Sequence, residues 1–238
     1  MTAPYHLTRR DVAGLDLFRG LPAAALDEVL VKTQCRVLAR DCRVFNQGDG
    51  HIRAHALLKG SVRISQSGRD GKQIVVRFIA ASEMFGAMAL FTDRRYLADA
   101  ETLTEVVEVS WSEPDLLNLM TRYPQVAINA LKVVGRRIQE AQYRVRELST
   151  QPVDRRVAHT LLRLAKQAGR RAHDGVTIPF PLRRKDIGDI CGTTLYSVSR
   201  VLTVWERQGF LVSQDQQLTI TKLSAIERIA DDEHTSPV

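Results

Sequence analysis

Tyr196, Ser199 and Arg200 fall within five residues of one another in R-K-D-I-G-D-I-C-G-T-T-L-Y-S-V-S-R-V-L, residues 184–202, and each carries a group that bonds the edge of a DNA base. An arginine donates twice to guanine O6 and N7, a hydroxyl bonds in either sense, and a tyrosine adds a ring that covers a thymine methyl. Residues so closely spaced read bases when they lie on one helix in a major groove. Val198, Val201 and Leu202 recur at helical spacing and form a buried stripe, leaving Leu195, Tyr196, Ser197, Ser199 and Arg200 on the N-terminal and outward surface. Upstream, Ile187 and Cys191 sit at i and i+4 of a first helix, and Gly188 between them allows the two helices to approach closely. Gly192 supplies a turn that needs positive φ, and Thr193 or Thr194 caps the helix that follows. The pattern predicts a helix-turn-helix. Two ordinary core helices joined by a glycine turn are the plain alternative, and the flanks count against it. Arg183, Arg184 and Lys185 precede the first helix, while strands at Leu211–Ser213 and Leu218–Ile220 flank the polar turn 214–217 and complete a winged unit.

Little else among the 238 residues points to chemistry. There is no HExxH, P-loop, G-x-G-x-x-G or G-x-S-x-G motif and no defensible carboxylate pair, so an enzyme is not expected. Cys35, Cys42 and Cys191 are scattered, with no CxxC pair to suggest a zinc ribbon or other metal site and no disulfide framework. Three thiols in one chain do not make a four-thiolate iron–sulfur site. Cys191 faces the helix-turn-helix core as a small hydrophobe, with a redox switch as the alternative. His6, His51 and His55 are candidate haem ligands, set against ordinary surface or packing roles. The net charge of +7 is uneven: residues 1–113 hold 15 Lys+Arg and 14 Asp+Glu, residues 114–238 hold 19 and 13. The surplus thus travels with the helix-turn-helix and suits a polyanionic partner. Residues 1–16 lack the apolar core of a signal peptide and no window approaches a membrane-spanning length, so a cytoplasmic protein without a membrane partner is expected.

The elements around these residues follow from periodicity. Short β-type runs at 44–45, 56–59, 62–66, 74–79 and 106–111, separated by turns at 47–50, 60 and 67–71, predict a small jelly roll. A helix over 21–31, with Pro22 in its first turn, precedes them. From Pro114 to Leu148 the period changes to that of one long helix. Ala127, Leu131, Val134, Ile138, Ala141, Val145 and Leu148 are spaced 4, 3, 4, 3, 4, 3, an a/d seam that calls for an identical partner. Covering the barrel is the competing use of that face. Residues 149–152 break the helix, a further helix runs from Val153 to Ala168, and 170–175 read as a polar loop. The fold class is therefore α+β, with a sensor barrel over 15–113, a dimerisation helix over 114–149 and a winged domain over 152–232. A two-fold dimer would present its reading helices about one DNA turn (~34 Å) apart and read an inverted repeat.

This order of parts, with F-N-Q-G-D at 45–49, L-L-K-G-S-V-R-I at 57–64, F-G-A-M-A-L-F at 85–91, R-V-A-H-T-L-L-R-L-A-K-Q at 156–167 and D-I-G-D-I-C-G-T-T-L-Y-S-V-S-R at 186–200, resembles the Crp/Fnr superfamily of transcription regulators. The resemblance covers about residues 15–230 and implies double-stranded DNA, a second copy of the chain and RNA polymerase as partners. It matches Arg200 to the family's guanine-reading arginine and Ser199 to a base-contacting position of the anaerobic-regulator branch. Tyr196 stands where the family carries a cytosine-reading glutamate, so no known half-site transfers. Arg183, Lys185, Thr194 and Ser197 match phosphate-contacting positions. An alternative in the same frame is a ligand receptor whose winged domain contacts a protein.

The departures concern the effector. Members that bind cyclic AMP follow the glycine at Gly86 with a ribose-binding glutamate and, further on, an Arg-Ser pair for the cyclic phosphate. Here those positions read Ala87, Leu97 and Ala98. A buried phosphate would lack a cation and a hydroxyl there, so the effector pocket looks degenerate and cyclic AMP is not expected. Residues 1–34 lack the cysteine cluster of the oxygen-sensing members. The segment M-A-L-F-T-D-R-R-Y-L-A-D-A at 88–100 is most similar to members linked to nitrogen-oxide respiration.

Overall fold

The computed structural model describes residues 5–231, so the expected end of the winged domain at residue 232 lies just outside the described range. The chain divides into two compact units: the first holds the residues up to Gln73 and Arg77–Glu140, and the second holds Ile74–Val76, a short piece of the strand Gln73–Ile79, together with the chain from Ala141 onward. In the first unit α1 (Arg9–Ala13) and α2 (Ala23–Lys32) precede eight strands: β1 (Gln34–Leu38), β2 (Arg43–Phe45), β3 (Arg53–Lys59), β4 (Val62–Ser67), β5 (Gln73–Ile79), β6 (Met84–Phe85), β7 (Asp99–Thr102) and β8 (Val106–Ser112). They form two four-stranded sheets, β1-β8-β3-β6 and β2-β7-β4-β5, the jelly roll that the alternating runs predict. β1, β6 and β7 lie outside those runs: β6 is two residues long, Asp99, Glu101 and Thr102 leave β7 one apolar residue, and in β1 Gln34 and Arg36 leave only Val37–Leu38 as an apolar pair.

The helix expected over 114–148 is two helices, α3 (Glu113–Arg122) and α4 (Pro124–Thr150). The cause is local. Pro124 crowds the backbone of Tyr123, which takes φ −127°, ψ 85° and ends α3, while proline itself starts α4 at the position where its missing N–H costs nothing. Ser112 caps α3, its hydroxyl accepting from the Asp115 N–H at 3.3 Å. Buried Asn129 then anchors α4, its amide donating to the carbonyls of Leu17 (3.0 Å) and Arg19 (2.9 Å). Around this anchor Val12, Leu15, Phe18, Trp111, Leu116 and Val126 make one core, with Phe18 edge-on to Trp111 at 4.9 Å.

The second unit contains α5 (Val153–Ala168), β9 (Arg170–Ala172), β10 (Gly175–Ile178), α6 (Arg184–Cys191), α7 (Leu195–Arg207), β11 (Leu211–Gln214), β12 (Gln217–Ile220) and α8 (Leu223–Asp231). Its sheet has the order β11-β12-β10-β9. The expected polar loop over 170–175 is instead half of a hairpin: Arg170–Ala172 is exposed on every residue, and its edge-strand pairing with β10 leaves no apolar signature. The wing tip is a two-residue turn in which Asp215 (φ 50°) and Gln216 (φ 64°) both take the left-handed region, matching the twist of β11 and β12.

Candidate nucleic-acid interface and barrel interior

The helix-turn-helix is assembled from close approach. A Cβ on Gly188 would lie 3.0 Å from the Thr193 carbonyl oxygen, so the residue must be small for α6 to meet the turn. Gly192 takes φ 61°, and Thr193 N–H returns to the Gly188 carbonyl at 2.9 Å. Thr194, rather than Thr193, is the cap of α7: its hydroxyl accepts from the Ser197 N–H at 3.2 Å and shares a 3.1 Å bond with the Ser197 hydroxyl. Ile187 and Cys191 are buried, and the Cys191 Sγ–H reaches Thr160 Oγ1 at 3.2 Å. Burial pushes that thiol's pKa up, so it behaves as the small hydrophobe expected.

Val198, Leu202 and Trp205 bury one face of α7, with Val201 half-buried beside them. The opposite face carries Tyr196, 83% exposed, Leu195, 44% exposed, an exposed Arg200 and a half-buried Ser199. Among the described residues, Tyr196 and Arg200 make no hydrogen bond, ion pair or ring contact. The basic residues at the start of α6 differ. Arg183 forks onto the fully buried Asp186 carboxylate (2.8 and 3.0 Å), Lys185 pairs with Asp189 at 2.8 Å, and Arg184 reaches Glu206 at 3.4 Å. Arg183 thus also holds the first turn of α6 together.

On α4, Leu131 (71%), Ile138 (55%) and Val145 (64%) are exposed along the expected seam, Ala141 and Leu148 are exposed with them, and Ala127 and Val134 are half-buried. Leu148 has a second neighbour: a Cβ on Gly192 would come within 2.4 Å of its Cδ2.

In the barrel, Gly86 takes φ 72°, and a Cβ there would press on His55 (2.9 Å), Tyr96 (3.1 Å) and Phe45 (3.2 Å). Tyr96 and Phe45 stack at 3.7 Å, and Phe85 lies 5.2 Å from the His55 ring. Ala87 packs on the Trp111 core, Leu97 is exposed and Ala98 is half-buried, so the four residues of the expected effector pocket have divergent surroundings. Glu108 is wholly buried and belongs to no motif; its one sequence signal is a carboxylate inside the run V-V-E-V-S-W, a buried charge that needs partners. Its partners are His55 Nδ1 at 2.5 Å and Arg36 Nε at 2.8 Å. His55 Nε2 bonds the Tyr96 hydroxyl at 2.8 Å, so both ring nitrogens are engaged and neither is left to ligate a haem iron. Burial lowers the His55 pKa despite Glu108, while His55 and Arg36 hold Glu108 below the usual carboxylate range against its own burial. A cavity of about 370 Å³ opens beside this cluster, with Arg36, His51 and Arg53 in its wall.

A jelly roll followed by a long helix with an apolar exposed seam and a winged helix-turn-helix defines a transcription regulator with an effector-type domain. Comparison with known proteins agrees: residues 35–123 match the cyclic nucleotide-binding domain family and residues 155–229 the Crp-like helix-turn-helix domain family. The chain is 27% identical over 217 residues to the cyclic AMP receptor protein of Thermus thermophilus, covering 91% of this chain and 97% of that protein. It is 24% identical over 219 residues to the CRP-like cAMP-activated global transcriptional regulator of Mycobacterium tuberculosis, covering 92% and 98%. The solved structure of FixK2 from Bradyrhizobium japonicum shares the fold, with TM-score 0.72, 20% identity, and 86% and 99% of the two chains covered. The chain belongs to the Crp/Fnr superfamily of transcription regulators and is not an enzyme. Among the described residues no helix is long and apolar enough to cross a membrane.

Proposed function

We propose that the protein is a cytoplasmic homodimer that binds an inverted-repeat DNA site and acts on RNA polymerase from there. α4 supplies the seam through Ala127, Leu131, Val134, Ile138, Ala141, Val145 and Leu148. In each protomer Arg200, Ser199 and Tyr196 contact bases, and Arg183, Lys185, Thr194 and Ser197 contact phosphates. The observation that carries this reading is the capped α7, whose outward Arg200 and Tyr196 have no partner among the described residues. A long aromatic and a guanidinium held bare on a rigid helix suit a ligand that supplies bonds from outside. The barrel is a sensor or a degenerate one. Cyclic AMP, named for several relatives, does not suit it, because Ala87, Leu97 and Ala98 offer the nucleotide neither acid, cation nor hydroxyl.

The test is a selection from random duplexes by the full-length protein, with affinity for the winner measured across a salt series. An inverted repeat bound with an affinity that falls steeply with salt is expected. Weak, salt-insensitive binding without sequence preference would overturn the reading and favour a protein partner for the winged domain.

A further inference from the structure

Leu195 is an apolar side chain left exposed on the reading face. It opens α7 beside Tyr196, on the turn fixed by the Thr194 cap, and both side chains project from the helix end that leads into a groove. We propose that Leu195 and Tyr196 form an apolar reader of thymine methyl groups, so that each half-site is specified by methyls at neighbouring base pairs and by a single guanine facing Arg200. This rests on the DNA-binding reading above and names what is read.

Across Leu195–Arg207 the sequence is L-Y-S-V-S-R-V-L-T-V-W-E-R, which contains no asparagine or glutamine for a bidentate adenine contact. Its single carboxylate, Glu206, lies in the last turn and pairs with Arg184, far from the reading end. Cytosine therefore has no carboxylate acceptor here and adenine no bidentate amide, and the hydroxyls of Ser199 and Tyr196, which bond in either sense, do not tell the two apart. Ser199 is half-buried, and the Ser197 hydroxyl is tied to Thr194. What remains in the first turn is an isobutyl group, 44% exposed, and a phenol ring, 83% exposed. Water contact at Leu195 is unfavourable in the free protein, and the one apolar group a base pair displays in the major groove is the thymine C5-methyl. Covering a methyl removes about one buried carbon's worth of apolar surface from water, which corresponds to roughly a fourfold gain in affinity per methyl.

The experiment replaces thymine by uracil, one position at a time, in the duplex selected by the full-length dimer. This change deletes the methyl and leaves every hydrogen-bonding group in place. At one or two neighbouring positions per half-site, uracil is expected to weaken binding about fourfold. Leu195→Ala is expected to weaken the thymine duplex and to abolish the uracil effect at its own position while keeping the guanine preference. Tyr196→Ser should do the same at the adjacent position. Both residues are exposed, so the variants should fold, and circular dichroism with an unchanged melting temperature verifies it. If uracil at every position binds as thymine does, or if the uracil penalty persists in Leu195→Ala and Tyr196→Ser alike, the methyl reader is overturned. A surviving guanine preference in that case leaves the DNA-binding reading intact, whereas its absence in the unaltered protein sinks that reading first.

Discussion

An unpartnered guanidinium and an ammonium already paired with a carboxylate answer DNA differently. Arg200 enters a complex with all its donors unspent, so Arg200→Ala should cost ~1–3 kcal/mol per half-site and flatten preference at one base pair. Lys185 must exchange Asp189 for a phosphate, and a contact of that kind carries no sequence information. Lys185→Ala should weaken all duplexes about equally and lower the salt slope by ~0.9 per protomer. Selection with each variant separates the two, and equal loss of sequence preference in both would misplace α7 in its groove. The His55–Glu108 pair makes a second residue-scale prediction. His55 folds with its pKa below the ordinary 6.5, so the unfolded chain binds more protons just under that pH, and stability is lost as the pH falls through the folded value. Glu108, held below 4.5, adds a further loss at lower pH with the same sign. The urea midpoint should therefore drop between pH 7.5 and 5, and His55→Gln, which still donates to Glu108, should flatten that dependence. His159, also lowered by burial, contributes in the same direction, so His159→Gln is the comparison that isolates His55. An unchanged slope in His55→Gln would remove the pair from the account.

At the scale of elements, α4 is the piece with an exposed row and no described cover. Replacing Leu131 and Ile138 by aspartate should give a monomer in sedimentation and cost the protein its second half-site, because charge on both members of an apolar seam must be desolvated on association. A dimer of unchanged strength would mean that the row faces something else. The helices and the stronger strands were legible because their apolar residues repeat at 3.6 or 2, as Val157, Leu161 and Leu164 do in α5 and the run 106–112 does in β8. Other features were hidden for identifiable reasons. The α3–α4 break rests on one proline within an otherwise unbroken helical pattern, and β9 pairs through backbone groups while exposing every side chain. On the reading helix, residue types and exposure followed from the stripe of Val198 and Leu202. That Arg184 carries an intramolecular carboxylate did not, since its contact with Glu206 joins residues 22 apart in sequence, whereas Arg183–Asp186 and Lys185–Asp189 are local helix pairs.

For the whole molecule, the effector question turns on how the barrel is filled. Phe45, His55, Phe85 and Tyr96 pack together behind Gly86, and the hydrophilic wall lies at Arg36, His51 and Arg53. Titration calorimetry of the protein with cyclic AMP should show no micromolar binding and no gain in DNA affinity; a tight site coupled to DNA would overturn the reading of Ala87, Leu97 and Ala98 as a degenerate pocket. Cys191 offers a different handle on the same molecule. Its thiol is buried between α5 and α6, bonded to Thr160 Oγ1 and close to the Arg156 carbonyl, so a bulky disulfide reagent meets it only when those helices part. In a chain carrying Cys35→Ser and Cys42→Ser, the labelling rate of Cys191 becomes a clock for the opening of the winged domain, reporting its local opening free energy under native conditions. A DNA duplex that binds only the closed form should slow that clock in proportion to its occupancy, giving a readout of operator binding that needs no label on the DNA.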